Sequence, residues 1–122
     1  MEYFNKTLPE KKEKLLGRYY ELSRYTIQIQ KLIKNKKYVK AKNILCEMFV
    51  KIVDYKDTVD SLIIKDIKEF YKDFTENIKY PALFGKVSLR NEDMVNEEIS
   101  LLVEKITQKV YELEHYLVKH PI

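Results

Sequence analysis

A chain of 122 residues, 45% hydrophobic and 34% charged, has room for one domain with one core and lies far from the composition of a disordered protein. Two glycines and three prolines supply too little turn chemistry for a strand-rich fold, and the lone cysteine, Cys46, excludes an intramolecular disulfide or a cysteine-built zinc site. The net charge of +4 conceals an asymmetry: residues 1–42 carry twelve Lys or Arg against four acids, and residues 43–122 carry eleven against fifteen.

Residues 1–8 read as a flexible N-terminal arm. The stretch from Met1 to Lys14 is polar and lysine-rich, with no charged-then-apolar leader, and no apolar run approaches the roughly 20 residues that cross a bilayer. A cytoplasmic protein with no membrane partner is expected. Thr7-Leu8-Pro9-Glu10 marks a helix start: threonine caps free N–H groups, glutamate answers three residues later, and proline is harmless in a first turn. Apolar residues then recur at Leu15, Tyr19, Leu22, Thr26, Ile29 and Ile33, steps of four and three that line up on one face of a helix. Lys34-Asn35-Lys36-Lys37 interrupts the pattern and forms a short connection, which favours an antiparallel neighbour.

A second helix is expected from Tyr38 to about Lys56, with its stripe at Ala41, Leu45, Met48 and Ile52, and Val59 following after a slip. Asp57 to Ser61 is rich in residues that bond their own backbone and reads as a turn. The third helix takes Leu62 to Tyr80, striped by Ile63, Ile67, Phe70, Phe74 and Ile78, and stops at Pro81. Ala82 to Arg90 forms the one real loop. Asn91 caps a fourth helix that ends near Lys119 before His120-Pro121, striped by Val95, Ile99, Leu102, Ile106, Val110, Leu113 and Leu117. Four such stripes cover one another, so the expected fold is all-α: a single antiparallel four-helix bundle over residues 1–122 with a short N-terminal arm.

Chemistry is hard to place on this chain. Glu112 and His115 have the Glu-x-x-His spacing of di-metal bundles, but such a site needs a second pair and two more inward glutamates, and the other histidine is His120. The serines stand in no glycine-bracketed turn, Asp54, Asp57 and Asp60 lack the spacing of a calcium loop, and Gly17 and Gly85 make no phosphate cradle. No catalytic residue, cofactor or metal is expected, and the chain reads as a binder rather than an enzyme. The lysine-rich clusters read as a solvated rim, since nucleic-acid grooves lean on arginine and only Arg18, Arg24 and Arg90 are present.

Apolar residues exceed a narrow seam. Leu16, Tyr20 and Ile27 flank the first stripe, Ile44, Phe49 and Val53 the second, and Val103, Tyr111 and Tyr116 the fourth. Ten tyrosines without a tryptophan give contact area with a polar tip, which suits surfaces that bury a partner yet tolerate water. Tyr19, Tyr20, Phe49, Tyr71 and Phe74 are the candidate partner-binding residues.

The order of these segments resembles the flagellin-specific export chaperones of bacterial flagella (the FliS type). Glu13-Lys14-Leu15-Leu16 through Tyr19-Tyr20-Glu21 is similar to that family's tyrosine-bearing first helix, and Lys37-Tyr38-Val39-Lys40-Ala41 through Val59-Asp60 to its second. Against its pattern of an apolar residue followed by Leu-Tyr-Asp-Tyr-Met, Phe70 stands at the leucine, Tyr71 at the first tyrosine and Phe74 at the methionine. Asn96 to Leu102 is similar to the closing Glu-Val-x-x-Leu-Leu helix, whereas Ser61-Leu62-Ile63 replaces the family's Gly-Gly. The resemblance implies a cytoplasmic secretion chaperone that holds the disordered C-terminal segment of flagellin in apolar grooves between helices and so prevents premature polymerisation. The alternative is a generic helical-bundle interaction or self-assembling module, with a homodimer as the simplest form.

Overall fold

In the computed structural model, which describes residues 2–74 and 89–119, four helices follow one another: α1 (Glu2–Lys34), α2 (Tyr38–Tyr55), α3 (Ser61–Lys72) and α4 (Leu89–Lys119). Each packs chiefly on its neighbours in the ring α1–α2–α3–α4–α1, the α1–α4 and α1–α2 boundaries being the most extensive. Gln30 of α1 bonds Ser100 of α4, whereas Lys12 lies over the ring of Tyr116, so these two helices run antiparallel. This is the expected all-α four-helix bundle. Its short N-terminal segment is continuous with α1, which begins at Glu2, ahead of the start expected at Thr7. Pro9 therefore lies inside the helix, where it removes one i→i−4 hydrogen bond. The expected continuation of the third helix to Tyr80, the stop at Pro81, the loop up to residue 88 and the His120-Pro121 end lie outside the described residues. Leu89 and Arg90 are already helical, so α4 starts ahead of the cap expected at Asn91.

The stripes form the core. Leu22, Ile29 and Ile33 of α1, Ala41, Leu45, Met48 and Ile52 of α2, Ile67 of α3, and Ile99 and Ile106 of α4 have no exposed surface. Thr26 occupies a stripe position at no polar cost, because its hydroxyl donates to the Leu22 and Ser23 carbonyls at 3.1 and 3.0 Å.

The α1–α2 and α2–α3 connections are built from different chemistry. After α1, Lys36 N–H donates to the Ile33 carbonyl and Lys37 N–H to that of Leu32, which closes the helix in a tight reversal. That reversal requires a left-handed residue, and Lys36 occupies it at φ 59° in place of the usual glycine. Between α2 and α3, Thr58 and Val59 N–H groups both donate to the Tyr55 carbonyl, and Val59 turns inward to 4% exposure as a plug at the end of the bundle. Asp60 then caps α3 by accepting from Leu62 N–H at 2.8 Å, while its own N–H donates to the Tyr19 hydroxyl at 2.9 Å. The bond from Leu62, with Lys109 beside it, holds the Asp60 carboxyl below its ordinary value.

Candidate functional site

The lengths of the helices decide which seams of the bundle stay open. Among the described residues helices α1 and α4 run 33 and 31 residues, against 18 for α2 and 12 for α3, and the long pair extends past the turn at residues 56–60 that joins the short pair. The α1–α2 seam is closed by polar ties. The Tyr55 hydroxyl donates to Glu21, Lys51 reaches the same carboxylate at 3.5 Å, and the Arg18 guanidinium lies 4.9 Å from the Tyr55 ring centroid. Burial, then the Glu21 carboxylate, pushes the Tyr55 phenol up to about 12. The α1–α4 seam is tied by the Gln30–Ser100 bond and by Tyr20, whose hydroxyl donates to the Glu114 carboxylate.

Of the five sequence-expected partner-binding residues, two belong to the interior. Tyr19 is 2% exposed and Phe74 fully enclosed, stacked on Phe70 with centroids 5.9 Å apart. Both sit on the stripe itself, Tyr19 between Leu15 and Leu22 and Phe74 one turn beyond Phe70, so the same spacing that builds the core draws them into it. Phe49 and Tyr71 do meet: half-buried, they stack across the α2–α3 seam at 4.5 Å and 27°, with the Cys46 Sγ 3.8 Å from the Tyr71 hydroxyl. Tyr20 is half-exposed on the α1–α4 seam, which lies across the ring from α2–α3. The three accessible aromatics therefore do not converge on one surface.

A surface that the periodicity did not single out lies along α3–α4. Leu62, Asp66 and Glu69 of α3 and Asp73 just past its end fall at steps of four, three and four, and on α4 Met94, Glu98, Leu101 and Lys105 do the same. Leu62, Met94 and Leu101 are 68%, 51% and 51% exposed, whereas Ile63, Phe70 and Leu102 behind them are buried. Two concavities run along this boundary, a tight one of about 170 Å³ over Phe70 and Leu102 and a broad open one of about 880 Å³ beside Leu62 and Ile63. The signal in the sequence was the doubling of apolar residues at Leu62-Ile63 and Leu101-Leu102, where a stripe spills over its edge.

The furrow is lined by charge. Lys105 Nζ meets Asp66 at 2.7 Å, Lys109 meets Asp60 at 3.4 Å, and Lys65 lies 3.9 Å from Glu69. Towards the other end Glu98 is half-buried. Burial, then the nearby carboxylates of Asp73, Glu69 and Glu97, pushes its carboxyl above the usual glutamate range. A carboxyl raised on folding is protonated more readily in the native state, so stability is lost as pH rises from the unfolded value through the folded one, and the penalty persists at neutrality. Glu98→Gln is accordingly expected to raise the thermal midpoint at pH 7 by a few degrees, with the gain vanishing below about pH 4. Melts followed by circular dichroism at the two pH values check both halves of that statement.

Among the described residues no group of three or more His, Cys, Asp or Glu side chains is placed to hold a metal ion. His115 and Glu112 are both exposed, the histidine stacked on Tyr111 and the glutamate 3.9 Å from Lys109. No described helix is long and apolar enough to cross a membrane. The lysines at the α1–α2 tip, Lys31, Lys34, Lys36, Lys37 and Lys40, are all exposed. Compared with protein-family models, with curated proteins and with solved structures, the chain matches none.

Proposed function

We propose that this chain is a cytoplasmic client-holding protein that binds an amphipathic, helix-forming segment of another protein in an apolar groove between its helices, and that it acts by binding rather than catalysis. The observation that carries the reading is the α3–α4 furrow, where Leu101 stays in water beside the buried Phe70 and Leu102, and Leu62 beside the buried Ile63. An amphipathic helix offers anchors at i, i+3, i+4 and i+7, the repeat that each wall presents in turn. The client that the sequence resemblance implies is the C-terminal segment of flagellin, held before export so that it does not polymerise. A disordered client that folds on its holder gives up part of the interaction energy in ordering itself, which suits release at a later step.

The test is a calorimetric titration with a flagellin C-terminal peptide, with helix content followed in parallel. Binding at micromolar concentration with a gain of helix is the expected result. No heat and no helix gain at high micromolar concentration would remove this reading.

A second reading, self-association of the bundle, is favoured by the outer face of α2, where Val50 and Val53 are 65% and 51% exposed beside the Phe49–Tyr71 stack. A concentration-dependent dimer in sedimentation, abolished by Val50→Glu, would support it. A monomer at all concentrations would end it.

A further inference from the structure

The α3–α4 furrow is a concavity whose carboxylates come from both of its walls. Its floor of Ile63, Phe70 and Leu102 is buried, and its apolar shoulders are exposed, Leu101 beside Phe70 and Leu102 and Leu62 beside Ile63. Between and beyond the shoulders stand Asp66, Glu69 and Asp73 on one wall and Glu98 on the other. The ammonium groups along the furrow are each matched by a carboxylate, Lys105 by Asp66 at 2.7 Å, Lys109 by Asp60 at 3.4 Å and Lys65 by Glu69 at 3.9 Å, which leaves the carboxylates in excess. Each turn of a helix advances about 5.4 Å, so the wall carboxylates recur at the spacing at which a docked helix would present its own flanking side chains. The α2 outer face around Val50 and Val53 also has exposed acids, Glu47, Asp54 and Asp57, with Lys51 among them, but no two-walled concavity among the described residues is lined by them.

From this juxtaposition we propose that the furrow selects a helix-forming protein segment whose apolar anchors are flanked by lysine or arginine. The anchors fill the space beside Leu62 and Leu101, and the cations lie along the Glu69, Asp73 and Glu98 carboxylates. A segment of like apolar pattern but acidic flanks is turned away by those same carboxylates. The inference rests on the client-holding reading and adds the sign of charge that the client carries. Glu98 is the carboxyl with most to gain, since it is half-buried among other acids and an arriving cation offsets that crowding.

Two synthetic amphipathic peptides with the same leucine spacing, one flanked by lysines and the other by glutamates, separate the possibilities when titrated against the intact chain. The lysine peptide is expected to bind at least about tenfold more tightly at low ionic strength, the preference shrinking towards unity near about 1 M salt, where the screening length is only about 3 Å. Glu98→Gln and Asp73→Asn together should remove most of the preference while leaving helix content unchanged, and Leu101→Glu should abolish binding of both peptides. Equal binding of the two peptides, or a preference that survives the double substitution, overturns the charge inference. So does binding of a flagellin C-terminal peptide at the furrow with neither synthetic peptide bound, which leaves the client-holding reading standing. Failure of all three peptides removes that reading as well. Salt-sensitive self-association abolished by Leu101→Glu would make the occupant a second copy, through its lysine-rich α1–α2 tip, and would overturn the assignment to a separate client.

Discussion

Phe74→Ala is expected to cost about 3–5 kcal/mol of stability, a large share of the roughly 5–15 kcal/mol that a domain typically has. The ring is fully enclosed and stacked on Phe70, so truncation removes its transfer free energy and leaves a hole that Ile67 and Phe70 cannot fill without shifting. Tyr20→Ala removes an aromatic of similar bulk with 48% of its surface already in water and one exposed hydrogen bond to Glu114. That change should cost no more than about 1 kcal/mol. Chemical denaturation of the two variants followed by circular dichroism gives the comparison directly. If Phe74→Ala instead melts with the parent and loses only client binding, the residue belongs to a binding groove and the packing described for α3 is wrong.

That contrast shows where the sequence was sufficient. Steps of four and three identify the face of a helix that must be covered, and Leu22, Ile29, Leu45, Ile52, Ile67, Ile99 and Ile106 are all enclosed as that face requires. Tyr19 and Phe74 lie on the same faces, and their register, rather than their aromatic character, accounts for their burial. The converse difficulty concerns width. Leu15, Val110 and Leu117 follow the stripe yet are only partly buried. Leu15 and Leu117 lie where α1 and α4 outrun the shorter pair, and a residue can be covered only as far as its neighbour extends. Leu62 and Leu101 stand one residue off the stripe, next to the buried Ile63 and Leu102, and are 68% and 51% exposed. Stripe spacing records the direction of burial along one helix. It does not record how far the next helix reaches or how closely it packs, and those two quantities create the furrow.

Leu62→Glu combined with Leu101→Glu is expected to separate binding from folding. Both side chains are more than half exposed, so replacing them removes little buried area, and the cost to stability should stay within about 1 kcal/mol. For a client helix seated in the furrow the same two positions supply the apolar shoulders, and each carboxylate introduced there would have to be buried against an apolar anchor. Truncating or charging a central anchor contact costs about 2 kcal/mol or more, so the pair should weaken client binding by about a hundredfold or beyond. Val50→Glu, on the outer face of α2, serves as the control: it introduces one such carboxylate at a valine that is likewise more than half exposed and should leave client affinity within about threefold of the parent. Calorimetric titration of the three proteins with the same peptide makes the comparison. An unchanged affinity in the double variant, or an equal loss in Val50→Glu, would place the client elsewhere, with the Phe49–Tyr71 stack on the α2–α3 seam as the next apolar surface to test.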